Sequence, residues 1–321
     1  MKLDLPRNIR FDKVSRPGTL KVGYVQPHTS PRDEPEVLAD PLDLWGIAWI
    51  LGNDAPERII DIRPPRGLSL ARRRSLVLRL ALLQECVAGF EFLLDGTTDY
   101  LRETTEIRGD IRSGLLFTYD RSNVHRGDSS AKPTTESKFA SWIVEHGRKF
   151  LLAAFPHRLV KQFPANVFKT SLAERNRATS KLFIDLLGAD KEGRLSVVRL
   201  NPAGPLTMNS FALGLDCAVF CREFRTHLRR NWFPEATSER IALYLISDGF
   251  NQGLVPPDGE WLNVLAATVG TSEWLDVIGV HIDSASYPHS LAERIVFPVV
   301  APAAVLPASV PPAAVPPAAA Q

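Results

Sequence analysis

Apolar and polar positions along this chain follow two rhythms. Thr19 to Val25 (TLKVGYV), Arg58 to Ile62, Leu115 to Tyr119 (LLFTY), Leu195 to Leu200 (LSVVRL), Ile241 to Ile246 (IALYLI) and Leu275 to Ile282 (LDVIGVHI) are short apolar runs that predict strands. Between them apolar residues recur every three or four positions, which predicts helices. Pro41 to Leu51 is one. A second follows Ser69 as N-cap, and its Leu76, Leu80, Leu83, Val87 and Phe90 step by 4, 3, 4 and 3. Ser137 to Ala154, Ser171 to Leu187 and Glu260 to Val269 are further helical segments. In Ser210 to Leu228 one face holds Phe211, Leu215, Ala218, Cys221, Phe224 and Leu228. Thr97 to Arg112 and Ser122 to Thr135 are polar and read as loops.

Strands separated by helices predict an α/β fold: a mostly parallel sheet with helices on both faces, doubly wound and Rossmann-like. Three regions are expected. Residues 1–112 form an N-terminal α/β portion, within the same domain or beside it, and 113–298 form the α/β core. Residues 299–321 form a tail with nine Ala, six Pro, five Val and no charge. Repeated proline blocks helix and sheet pairing and alanine offers little area to bury, so the tail is expected to be disordered.

Composition narrows the classes of function. The 321 residues are 45% hydrophobic, and 38 basic residues nearly balance 36 acidic ones. A net charge of +2 gives no overall electrostatic case for nucleic acid or an anionic membrane. The one dense basic run, Arg72, Arg73 and Arg74 with Arg66 and Arg79 on its flanks, falls on a predicted helix and reads as a solvated face or as a phosphate or nucleic-acid contact. Cys86, Cys217 and Cys221 are an odd set without zinc-ligand spacing, and Cys217 and Cys221, four apart on one side of a helix, read as buried helix residues. The first residues have no apolar signal segment, and no stretch reaches the length of a membrane span. A reducing, cytoplasmic compartment is the expectation.

The phosphate-loop, dinucleotide, nucleophile-elbow and zinc-protease motifs do not occur. In open α/β sheets, ligands bind beyond the carboxyl ends of the strands. There the sequence places Asp120 and Ser122 after LLFTY, Thr207 after LSVVRL, Asp248 after IALYLI, and His281 and Asp283 after the last strand. The carboxylates and hydroxyls of this set are hard oxygen ligands and suit Mg²⁺.

Asp120 and Ser122 in YDRSN, Thr207 in PLTMNS and Asp248 in LISDG resemble, in their order, the von Willebrand factor A family over residues 114–283. The resemblance implies a Mg²⁺ site that captures an acidic group of another protein. Val124 stands where that family has a second serine, which removes one ligand. LLDGTTDY, with Asp95, Thr97 and Asp99, is an alternative placement of the same motif. The segment VHRGD resembles the arginine-containing signature of fucosyltransferases, one residue short in spacing. That likeness implies a nucleotide-sugar-dependent glycosyltransferase in which Arg126 contacts phosphate. Three classes therefore stand open: a protein-binding domain with a divalent metal, a glycosyltransferase, and a structural or assembly protein of viral or phage type with a Pro/Ala arm.

Overall fold

The computed structural model describes residues 7–14, 16–25, 41–65, 68, 70–113, 116–117, 138–141, 143–145, 158–165, 168–169, 183–201, 207–248, 265, 269, 273–282 and 293–295. Each of two sheets carries its own helices, and the two sets of helices pack together. In the first, β1 (Ile9–Lys13) runs antiparallel to β2 (Thr19–Tyr24), and β3 (Ile59–Arg63) and β4 (Glu91–Leu94) continue parallel to β2. The helix α1 (Leu42–Gly52) links β2 to β3, α2 (Leu70–Cys86) links β3 to β4, and α3 (Asp99–Arg112) follows β4.

Strand alternation gives this sheet one apolar face. Leu20, Val22, Ile60, Ile62, Phe92 and Leu94 are buried in the same cluster as the apolar residues of α1 and α2. Lys21, Asp61, Arg63 and Glu91 alternate with them on the opposite face. Phe11 of β1 stacks on Trp49 of α1 with ring centroids 6.0 Å apart, which ties the edge strand to the helix. At the other edge Asp95 and Gly96 both take positive φ (55° and 85°), and Leu94 and Thr97 bridge across them. An Asp-Gly pair is the chemistry such a tight reversal requires.

The larger sheet comprises β6 (Arg158–Pro164), β8 (Phe183–Ala189), β9 (Leu195–Asn201), β10 (Ile241–Asp248), β11 (Leu275–Ile282) and β12 (Glu293–Ile295), in the order β12-β11-β10-β9-β8-β6. Only β9, β10 and β11 are mutually parallel, and β12, β8 and β6 pair antiparallel. A helix–turn–helix, α4 (Met208–Glu223) and α5 (Arg225–Asn231), joins β9 to β10. Leu195, Val197, Ile241, Leu243 and Leu275 share the main core cluster with α4. Val198, Leu200, Ala242, Tyr244 and Ile246 lie in a second cluster with Phe139, Ala140 and Ile143 from helical turns within residues 138–145.

The two halves meet helix to helix: α1 and α2 pack on α4. A glycine sets each helix close to its own sheet. A Cβ on Gly46 would lie 2.7 Å from Ile60 Cγ2, and one on Gly214 would lie 2.9 Å from Leu245 Cδ2. Any side chain at these positions would push helix and strand apart.

This architecture corrects the expected doubly wound, mostly parallel sheet. There are two main sheets, and each mixes parallel and antiparallel strands. Of the expected strand LLFTY, the described part, β5 (Leu116–Phe117), pairs with β7 (Phe168–Lys169) in a separate ribbon and not with either main sheet. The helix expected over Ser171 to Leu187 is replaced at its end by β8, with 170–182 outside the described residues. FIDLLGA is nearly continuous in apolar character because both faces of an interior strand are covered, and such a run has no helical or strand period of its own. The loop expected over Thr97 to Arg112 is α3, whose narrow inner stripe of Tyr100, Thr104 and Ile107 is hidden among charges. The expected tail, 299–321, lies outside the described residues. No helix among the described residues is long and apolar enough to cross a membrane.

Candidate functional site

Helix α2 disperses its arginines instead of presenting them as one basic face. Arg73 turns toward α3, where its Nη2 donates to Glu103 at 2.9 Å. Arg74 is buried. Arg79, two turns further on, enters the joint between the two halves. Its Nε and Nη2 donate to both oxygens of Asp43 on α1 at 2.7 and 3.1 Å, and its Nη1 donates to Asp216 Oδ1 on α4 at 2.7 Å. The side chains of Arg79, Asp43 and Asp216 are 6%, 0% and 6% exposed, so all three charges are out of bulk water.

Three ions in a dry joint perturb each other. Burial pushes the Asp216 carboxyl up from its usual value; Arg79 opposes this, and the carboxylate of Asp43 adds to it. Burial acts against the charge on Arg79, yet the two carboxylates outweigh it and hold the guanidinium more firmly protonated than usual. Burial also raises the neighbouring Cys217 thiol to about 12, which makes it a packing group and a poor nucleophile.

A narrow cleft opens onto this triad at the carboxyl ends of β2 and β3. Tyr24, Leu42, Ile62, Pro64, Pro65, Leu68 and Leu76 supply apolar walls; Arg72, Ser75, Arg79 and Asp216 supply the polar groups. Residues 72, 75, 76 and 79 lie on one side of α2 because their spacing follows the helical repeat. Its volume of about 40 Å³ leaves room for a few waters or the end of one side chain. Among the described residues, Asp216 Oδ2 accepts no hydrogen bond within the protein, and Arg79 uses three of its five N–H groups.

Of the metal ligands expected from sequence, Thr207 and Asp248 lie among the described residues. Thr207 caps α4: its Oγ1 accepts the Ser210 N–H at 3.1 Å and lies 3.0 Å from Ser210 Oγ. Asp248 is the last residue of β10, in register with Ile282 of β11. Both positions therefore fall at the carboxyl edge of the parallel trio. Asp120 and Ser122, and the phosphate-contact candidate Arg126, lie outside the described residues. Among the described residues no group of three or more His, Cys, Asp or Glu is arranged to hold a metal. The alternative LLDGTTDY is the reversal that ends β4. The Gly96 N–H donates to Asp61 Oδ1 at 2.8 Å, and the Arg63 guanidinium lies so near Gly96 that a Cβ there would be 2.9 Å from its Nη2.

Sequence reasoning passed over the triad, although a signal was present. Asp43 in LDLWGIAWIL, Arg79 in LVLRLALL and Asp216 in LGLDCAVF are each a single charge inside an apolar helical segment. Their signs are complementary. Lone charges on three buried helices must find one another, since each alone would be prohibitively costly to desolvate. No family model, curated protein or solved structure matches this chain.

Proposed function

We propose that this chain is a binding protein whose cleft at the β2–β3 carboxyl edge receives one projecting group of a partner protein. That group has an apolar stem and a neutral, hydrogen-bonding end, a carboxamide or a hydroxyl. The observation that carries this reading is the composition of the cleft: apolar walls around a floor that joins Asp216 to Arg79. A few placed polar groups inside an apolar concavity at a strand's carboxyl end is the usual design of a recognition pocket. The unused hydrogen-bonding groups decide the chemistry of the ligand. Asp216 Oδ2 accepts no hydrogen bond among the described residues and Arg79 keeps two unused N–H donors, so a carboxamide, which both donates and accepts, can satisfy the two together.

Isobutyramide, isobutyrate and isobutylamine, three fragments of one shape, test the reading. Each is titrated while the backbone amides of Ser75 and Leu76 are followed by NMR. The amide should bind most tightly, and Leu76→Trp should block it by filling the cleft. No perturbation at Ser75 with any fragment would remove the pocket as a binding site; tighter binding of a charged fragment would remove the polarity assignment.

A second reading, a divalent cation at the carboxyl edge of β9–β11 used to engage another protein, is favoured by the common edge of Thr207 and Asp248. Mg²⁺ should then raise the melting temperature, and Asp248→Ala should cancel the rise. An equal rise in the variant would exclude it.

A further inference from the structure

A second cleft lies on the opposite, amino edge of the larger sheet. It is an open depression of about 350 Å³ lined by Arg108, Arg222, Glu223, Arg225, Glu239 and Trp274. Arg108 comes from α3, Arg222 from α4 and Arg225 from α5, while Glu239 and Trp274 immediately precede β10 and β11. Three guanidinium groups from three helices thus converge on one open space.

Carboxylates hold these guanidiniums in place. Arg108 bonds to Glu223 at 2.9 Å and to Glu85 at 3.3 Å, and Arg222 Nη1 donates to Glu85 at 2.8 Å. Arg225 pairs with Glu239, which Arg229 also approaches at 3.4 Å. The guanidinium carbon of Arg222 sits 4.5 Å from the centre of the Trp274 ring. Each arginine is fixed yet retains donors. Arg108 Nη1, Arg222 Nε and Nη2, and Arg225 Nε have no hydrogen-bond partner among the described residues.

We infer that this cleft binds an oligophosphate, a ligand with at least two linked phosphate groups. The four arginines carry one more charge than Glu85, Glu223 and Glu239 together. Guanidinium forks match phosphate oxygens in bidentate geometry, and prior tethering lowers the ordering cost. Arg108 and Arg222 already share one anion, Glu85, and Arg225 is held by another, Glu239, so a ligand with two or three linked phosphates can present a separate oxygen set to each group of donors. Glu239 is the gate: its side chain is 66% exposed, so it can swing into water at little cost and release Arg225 and Arg229 to the ligand. The bound ligand would bridge α3 of the first half to α4 and α5 of the second.

Inorganic triphosphate, orthophosphate and sulfate are compared at one ionic strength by calorimetry and thermal melting. Triphosphate should bind with measurable heat and raise the melting temperature by several degrees, and orthophosphate and sulfate should not. Arg222→Gln and Arg225→Gln should each weaken binding roughly tenfold, as loss of a charge-assisted hydrogen bond requires. Glu239→Gln should strengthen it, an outcome that an ion-pair network of purely structural role would not give. Adenosine triphosphate forms a separate arm: equal affinity assigns recognition to the phosphates alone, and higher affinity adds a base on the Trp274 side. Equal responses to sulfate and triphosphate, or Glu239→Gln binding no better than the parent, would overturn the inference. Should Arg222→Gln fail to fold, Arg225→Gln and Glu239→Gln still decide it.

Discussion

Arg79 Nη1 donates to Asp216 Oδ1 at 2.7 Å, across 137 residues of chain, and so joins α2 of the first sheet's helices to α4 of the second's. The bond is one of several ionic links between the halves, with Arg222–Glu85 further along the same helix pair and Arg108–Glu223 joining α3 to α4. Of these three links it is the most deeply buried.

Removing the cation from this joint strands two carboxylates. Arg79→Met should destabilise the fold by about 3–5 kcal/mol, because a broken buried pair leaves uncompensated charge. Replacing all three residues together with apolar ones of similar volume should restore most of the loss. Urea denaturation of the single and triple variants tests this, and a triple variant no more stable than Arg79→Met would contradict it.

Asp216 and Asp276 should carry opposite pH dependences. Burial, with Asp43 adding to it against Arg79, raises the Asp216 carboxyl above 3.8, so the folded state holds its proton more tightly than the unfolded chain does. Its contribution is full below about 3.8 and is lost as pH rises through the elevated value. For Asp276, burial is outweighed by Arg240 and Arg194, and the carboxyl falls below 3.8. That contribution is full above 3.8 and is lost as pH falls through the depressed value. Stability of Asp216→Asn should therefore gain on the parent as pH rises above 4, while the deficit of Asp276→Asn, about 1 kcal/mol or less, should vanish in acid. Parallel curves for parent and variants would refute both assignments.

Thiol reactivity should divide cleanly. Cys217 and Cys221 are buried, and desolvation drives both thiols far from ionisation. Cys86 is only partly covered. In the native protein a maleimide should label Cys86 first, and the other two should react only after unfolding. Peptide mapping of the labelled sites checks the order; early modification of Cys217 would show that α4 opens.

Gly46→Val tests the close approach of α1 to its sheet. The new side chain would meet Ile60 Cγ2 and Val22 Cγ2, both on stiff β-branched residues. Overpacking of this kind should cost roughly 1–3 kcal/mol. An unchanged melting temperature would mean that the helix has slack to withdraw.

Much of the secondary structure was legible because its periods are strong. β9, β10, β11 and α4 appear within a few residues of where their apolar positions place them. Sheet membership was not legible. Whether a short apolar strand joins one sheet or another depends on partners distant in sequence: β8 reaches β9 in antiparallel register although it was read as part of a helix. Asp185 helps to close that register, accepting the Leu200 N–H at 2.7 Å and bonding Arg199 at 3.0 Å, and no local pattern announces such a contact. The candidate cleft was hidden for a related reason. Arg79 looked like one more residue on a basic helix, and only Asp43 and Asp216, each on a different helix, draw it inward.

The borders of the small sheet explain why it stops at four strands. The outer strand β1 carries Arg10, Asp12 and Lys13; Arg10 is paired to Asp12 at 2.7 Å, and Lys13 reaches back to Glu57 at 3.0 Å. A foreign strand docking there would have to strip water from all three charges. On the far border, the Asp95–Gly96 reversal turns the chain back on β4 before a further ladder can begin. The sheet is thus protected against edge-to-edge polymerisation by ionic side chains on one border and by a two-residue turn on the other. Charge-neutralising changes at Arg10 and Asp12 would be the shortest route to an aggregating variant that still folds.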